Sequence, residues 1–155
     1  MALQLSTSEK VRNSVYRNNL FVGTSGHFAY ETTARMVDCD FDYDGFGGGP
    51  WTLFLKWNEV RYATFDEMKS KAPVYRHAVQ VDAETLFASG ASAPADALRA
   101  ADRAIDLRLK AGSAAIDSGE FLPGFNDGFA GKAPDLGAYE LGQDLPQYGP
   151  RPERK

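Results

Sequence analysis

The sequence contains a single cysteine, Cys39, and two histidines, His27 and His77. One cysteine excludes an internal disulfide and any multi-cysteine zinc site, and two histidines leave little for a transition-metal centre. Cys39 therefore reads as a small buried apolar residue. No apolar run approaches the roughly 20 residues of a membrane span, so no membrane partner is expected. The opening residues, MALQLSTSEK, lack the apolar core of a signal peptide. There is no basic surplus either: the formal charge is -4, which argues against nucleic acid as a partner, because phosphate binding needs a basic surface. No G-x-S-x-G, H-E-x-x-H or phosphate-binding P-loop occurs, so no catalytic residue is assigned. As written, the chain fits a cytoplasmic protein; as a piece of a longer protein it would be secreted or periplasmic.

What is present is an ordinary globular balance. The 155 residues are 43% hydrophobic and 25% charged, enough for one domain with a sizeable core. The segment VRNSVYRNNLFVG sets apolar residues among asparagines and arginines. In ARMVDCDFDYDG, Val37, Cys39, Phe41 and Tyr43 alternate with four aspartates. Period-two alternation predicts a half-buried strand over 37–44. Laying NNLFVG on DFDYDG pairs Phe21 with Tyr43 and Gly23 with Gly45, an offset of about 22 residues, in the range of one solenoid coil. GFGGGP then reads as a flexible break. TLFLKW and VRYA, separated by Asn58 and Glu59, predict a hairpin. Thr64 and Glu67 have capping-box spacing, so a short helix starts near Thr64 and ends before Pro73. HAVQVD and IDLRL predict strands, and PADALRAADRAI a helical turn or two. The domain spans residues 1–141, and 142–155 form a loosely attached polar tail.

The segment from Asp106 to Gly142 carries three further pieces: LKAGSAAIDSG, LPGFNDGF and APDLGAYE. Together they resemble the closing, C-terminal region of right-handed parallel β-helix proteins of the pectate-lyase-like superfamily. Upstream, RNNLFVG, DFDYDGF, RYATFDEMKSKA and HAVQVD follow the same order, so the resemblance covers about residues 11–141. It implies a mainly β fold: a short right-handed parallel β-helix of about two coils, with a hairpin, a short helix and a closing segment. It implies a carbohydrate context, with a polysaccharide as partner. It also implies a truncated form, because such proteins run to many coils and carry their catalytic residues on central ones. In the residues themselves, Asp117 and Asp127 can fix turns by accepting backbone N–H groups, and Leu136, Ala138 and Tyr139 can pack on a coil end.

The run Asp40-Phe-Asp-Tyr-Asp44-Gly45 matches the first half of an EF-hand loop. The closing bidentate acid would fall at Trp51, which cannot ligate calcium, and Phe41 and Tyr43 suit an inner strand face. The run therefore reads as a strand with one acidic face. Arg35, Lys56 or Arg61 would neutralise it, or Asp40, Asp42 and Asp44 would hold calcium weakly. No other cofactor is implied. Like-charge repulsion along that face predicts that Asp42→Asn is neutral or stabilising. Trp51, Trp57, Arg61 and Tyr62 lie near the run in sequence and form the substrate-binding set, with core packing as the competing role.

Three functions follow. The first is a carbohydrate-related β-helix module that binds a glycan or a partner without activity of its own. The second is a small calcium-assisted polysaccharide lyase or hydrolase, and the third a structural or assembly protein. Val15, Leu20 and Val22 on an open coil end predict a homodimer, unless residues 1–10 fold over them.

Overall fold

The computed structural model describes residues 3–5, 9–23, 26–91 and 106–145. The fold is mainly β, with eleven short strands and one helix among these residues. The helical turns expected over 94–105 lie outside the described residues. In chain order the strands are β1 (Leu3–Leu5), β2 (Lys10–Arg12), β3 (Val15–Tyr16), β4 (Leu20–Gly23), β5 (Gly26–Thr32), β6 (Arg35–Val37), β7 (Asp40–Phe41), β8 (Gly45–Gly48), β9 (Trp51–Trp57) and β10 (Val60–Tyr62). Helix α1 (Phe65–Lys71) and β11 (Val79–Val81) follow.

The strands pair in a repeating order. β2 pairs with β6, β3 with β7, β4 with β8 and β5 with β9, all in parallel. Lys10 faces Arg35, Val15 faces Asp40, Leu20 faces Gly45 and Gly26 faces Trp51, so each partner lies 25 positions on. This corrects the offset of 22. Phe21 lies opposite Phe46 and Gly23 opposite Gly48, with the Phe21 and Phe46 rings 5.4 Å apart. Matching aromatics on one face decide the register, since a slip would turn them off that face. β1 and β11 add parallel strands to β5 and β8. Among the strands of the described residues, β9 and β10 alone pair antiparallel; their turn is Asn58-Glu59, both left-handed at φ 46° and 70°, as a two-residue hairpin requires.

Corners separate the strands. Asn13, Asn18, Asp38 and Tyr43 all have φ between 52° and 60°, a region that asparagine and aspartate tolerate best. The two in the acidic run cut the expected 37–44 strand down to Asp40–Phe41. Phe41 stays fully buried, while Asp44 turns inward and is buried with it.

GFGGG is a central strand rather than a break. Leu20 and Val81 flank β8 on its outer face, and Leu136 of the closing segment rests there. A Cβ on Gly45 would lie 2.6 Å from Leu20 Cδ2 and 3.1 Å from Leu136 Cδ1. Glycine makes room for that packing, and the second core forms around it from Val81, Leu86, Leu109, Ala115 and Leu136. The main core holds Tyr30, Phe41, Phe46, Trp57, Met68 and Tyr75.

Helix α1 starts where its cap predicts. Thr64 Oγ1 accepts the Glu67 N–H, and Glu67 accepts the Ala63 N–H in return. Met68 anchors it to the core, and the chain leaves the helix at Ala72, before Pro73. β11 lies within the expected HAVQVD strand. IDLRL is reduced to one bridge between Leu109 and Phe87. There Asp106 binds the Arg108 backbone N–H and guanidinium, a local turn that competes with a ladder.

Candidate functional site

The aspartates of the acidic run take different partners. Asp40 is exposed and pairs with Arg17 at 2.5 Å; Arg17 also grips Glu120 of the closing segment, at 2.5 Å. Asp42 accepts the Tyr43 N–H, the His77 N–H at 2.7 Å, and lies 2.7 Å from His77 Nδ1. The His77 ring stacks on Tyr43 at 4.5 Å. Asp44 Oδ1 accepts the Asn19 backbone N–H at 2.8 Å and the Asn19 amide at 3.0 Å, while Oδ2 has no partner. Burial pushes the Asp44 carboxyl up to about 6, against the pull of the Asn19 bonds. The three carboxylates proposed for calcium are thus not brought to one point. Among the described residues no group of three or more His, Cys, Asp or Glu side chains stands where it could hold a metal ion. The neutralising cation is Arg17, not Arg35 or Arg61, and Lys56 pairs with Glu59 at 3.1 Å.

The aromatic set is also dispersed. Trp57 and Tyr62 are buried, with Trp57 edge-on to Phe41 at 5.1 Å. Trp51 is half-buried against the same core, and Arg61 is exposed on β10. None of the four lines the cleft described next. Their nearness in sequence reflects one hairpin whose inner face builds the core.

That cleft, of about 480 Å³, lies where the Arg17–Asn19 corner meets the closing segment. Asn18 joins the two. Its amide exchanges hydrogen bonds with the Glu120 backbone, donating to O at 2.8 Å and accepting from N–H at 2.7 Å. Its own carbonyl accepts the Gly137 N–H at 2.8 Å. Beyond it the segment is a chain of turns held by side chains, by a nearby bond as anticipated at Asp127 and by distant ones at Asp117. Asp117 accepts the Lys132 and Ala133 N–H groups, and Asp127 accepts that of Gly124. Asp135 caps Asp117 and Leu141 in the same way. Leu136 is fully buried, whereas Ala138 is exposed and Tyr139 half-buried at the cleft wall.

The cleft lining is mixed. Arg17, Asn126, Asp135, Tyr139, Glu140 and Gln143 supply polar groups, and Phe125 and Phe129 supply ring faces. Phe125 is 90% exposed. Glu140 takes up protons more readily than an ordinary carboxylate, first through burial and then through the charges of Asp135 and Asp117. Arg17, Asn126 and Phe125 carry a signal in sequence only in retrospect: Phe121, Phe125 and Phe129 recur every four residues among glycines and polar residues, where a core aromatic is not expected.

Comparison of the chain with protein-family models, with curated proteins and with solved structures finds no match. Among the described residues no helix is long and apolar enough to cross a membrane.

Proposed function

We propose that this chain is a short parallel β-helix module, built like the closing region of pectate-lyase-like proteins, that binds carbohydrate in the cleft between Asn18 and the closing segment without chemistry of its own. The observation that carries the reading is Phe125, 90% exposed on a cleft that also presents Arg17, Asn126, Asp135, Tyr139, Glu140 and Gln143. A free aromatic face packs against the C–H face of a sugar ring, while amides, carboxylates and a phenol meet its hydroxyls. The repeated parallel pairing at one constant offset supports the β-helix part. In this reading calcium is held only weakly, because Asp40, Asp42 and Asp44 already serve Arg17, His77 and Asn19.

The test is a glycan panel with titration of the strongest binder. Phe125→Ala is expected to weaken binding at least tenfold with an unchanged melting temperature, since the ring packs on little. A panel with no binder, or binding indifferent to Phe125→Ala, would remove the proposal. One pair favours a second reading, a small polysaccharide lyase or hydrolase: Asp42 holds His77 Nδ1, and the imidazole, stacked on Tyr43, keeps its side chain 59% exposed. Release of shortened or unsaturated products from a bound polysaccharide, with or without calcium, and its loss in His77→Gln, would select that reading over pure binding.

A further inference from the structure

We infer that two copies of this chain pair β4 against β4, antiparallel, across the apolar groove that borders this strand. The backbone alternation carries the argument. Gly45 N–H donates to Asn19 O at 2.8 Å, and Val79 N–H donates to Asp44 O at 3.1 Å. Odd residues of β8 therefore address β4, and even ones address β11. With Leu20 opposite Gly45 and Val22 opposite Gly47, the peptide groups of Phe21 turn to β8, and those of Leu20 and Val22 turn away. On that far side β4 has no strand among the described residues. Asn18 O, two positions before the strand, also turns away, and the closing segment takes it through Gly137 N–H. Past that point the edge runs into a groove of about 640 Å³ lined by Leu20, Val22, Phe87, Leu107, Leu109 and Tyr139, among others.

The occupant is read from charge and symmetry. Among the described residues, none that lines the groove is charged, although the chain carries a formal charge of -4. Two copies can meet here without setting like charges together. Leu20–Gly23 also lacks two guards common on edge strands: it has no charged residue and no proline. Antiparallel self-pairing with Phe21 on the two-fold axis sets Leu20 against the partner's Val22 and the reverse. That register satisfies all the outward N–H and C=O groups of Leu20 and Val22, and a two-fold pairing closes on itself. The inference does not depend on the carbohydrate reading.

Sedimentation velocity of the 155-residue chain over a dilution series tests it. The parent is expected at twice 17.0 kDa, dissociating on dilution. Val22→Pro removes an N–H that β8 does not use, so it should leave the circular dichroism spectrum and the cooperative melt in place and yield a monomer. Val22→Lys, which sets a lysine from each copy into the seam, should do the same. If Val22→Pro does not fold, Val22→Lys decides alone. A parent that stays monomeric at high concentration overturns the inference. So does a dimer that survives in a folded Val22 variant, including one formed through another surface.

Discussion

Asp44 shows how burial can reverse the behaviour of a carboxylate. Its folded pKa, about 6, stands above the ordinary value of 3.8. Below the lower value it is protonated in folded and unfolded chains alike, and its ionisation costs nothing. As pH rises from about 4 to 6 the unfolded chain ionises first, so this residue removes stability across that window, and the loss persists above it. The groups around it are Arg17, which favours the charge, Asp42, which opposes it, and the phenols of Tyr30 and Tyr75. Asp44→Asn should flatten this fall: the difference in melting temperature between parent and variant should shift in the variant's favour between pH 4 and pH 6 and hold steady above. A constant difference over that range would contradict it. Asp42 matters through its partners instead. Its three contacts with Tyr43 and His77 overturn the expectation that Asp42→Asn is neutral or stabilising. Loss of charge-assisted bonds to a partly buried site should cost about 1–3 kcal/mol in urea unfolding at pH 7.

Among elements, β8 is the most tightly specified. Gly48 has φ 97°, and a Cβ there would lie 1.6 Å from the Gly23 carbonyl oxygen. Two backbones meet at that point, and neither can yield as a flexible side chain would. Gly48→Ala should therefore destabilise by more than Gly45→Ala, whose Cβ meets side-chain tips, those of Leu20, Leu136 and Val81. Gly45→Ala should cost about 1–3 kcal/mol as an overpacked site. Paired chemical denaturation curves give the order directly.

For the whole molecule, Asn18 and Arg17 decide whether the closing segment is seated. Asn18 bonds the second row of strands through its N–H to Tyr43 O and the closing segment through its amide and carbonyl. It does so from a left-handed backbone, φ 60°. Arg17 bridges Asp40 and Glu120 from a side chain only 9% exposed. Asn18→Ala should release residues 119–140 before the strands unfold, seen as early amide exchange and proteolytic cleavage there, with protection retained at Phe41 and Leu55. Uniform loss of protection would mean that the segment and the strands form one cooperative unit.

The sequence by itself determined the features whose causes are local. The cap at Thr64, the stop before Pro73, the Asn58 turn and the turn-fixing Asp127 each depend on residues a few positions apart, and each is found in place; Asp117 also fixes a turn, but through Lys132 and Ala133, which the fold brings to it. Of the inward aromatics, Phe41 was legible, because alternation marks an apolar face, whereas Phe46 stood in the run that reads as a flexible break. Tertiary structure alone decided the rest. The offset of 25 rather than 22 depends on which aromatics meet across strands. The reading of GFGGG as a central strand depends on Leu136, some ninety residues later, coming to rest on it. The acidic run lost its regular face because two corners, at Asp38 and Tyr43, turned its aspartates toward Arg17, His77 and Asn19 in different directions. Partners so far apart in sequence leave no period in it, and distance in space alone sets which charge meets which.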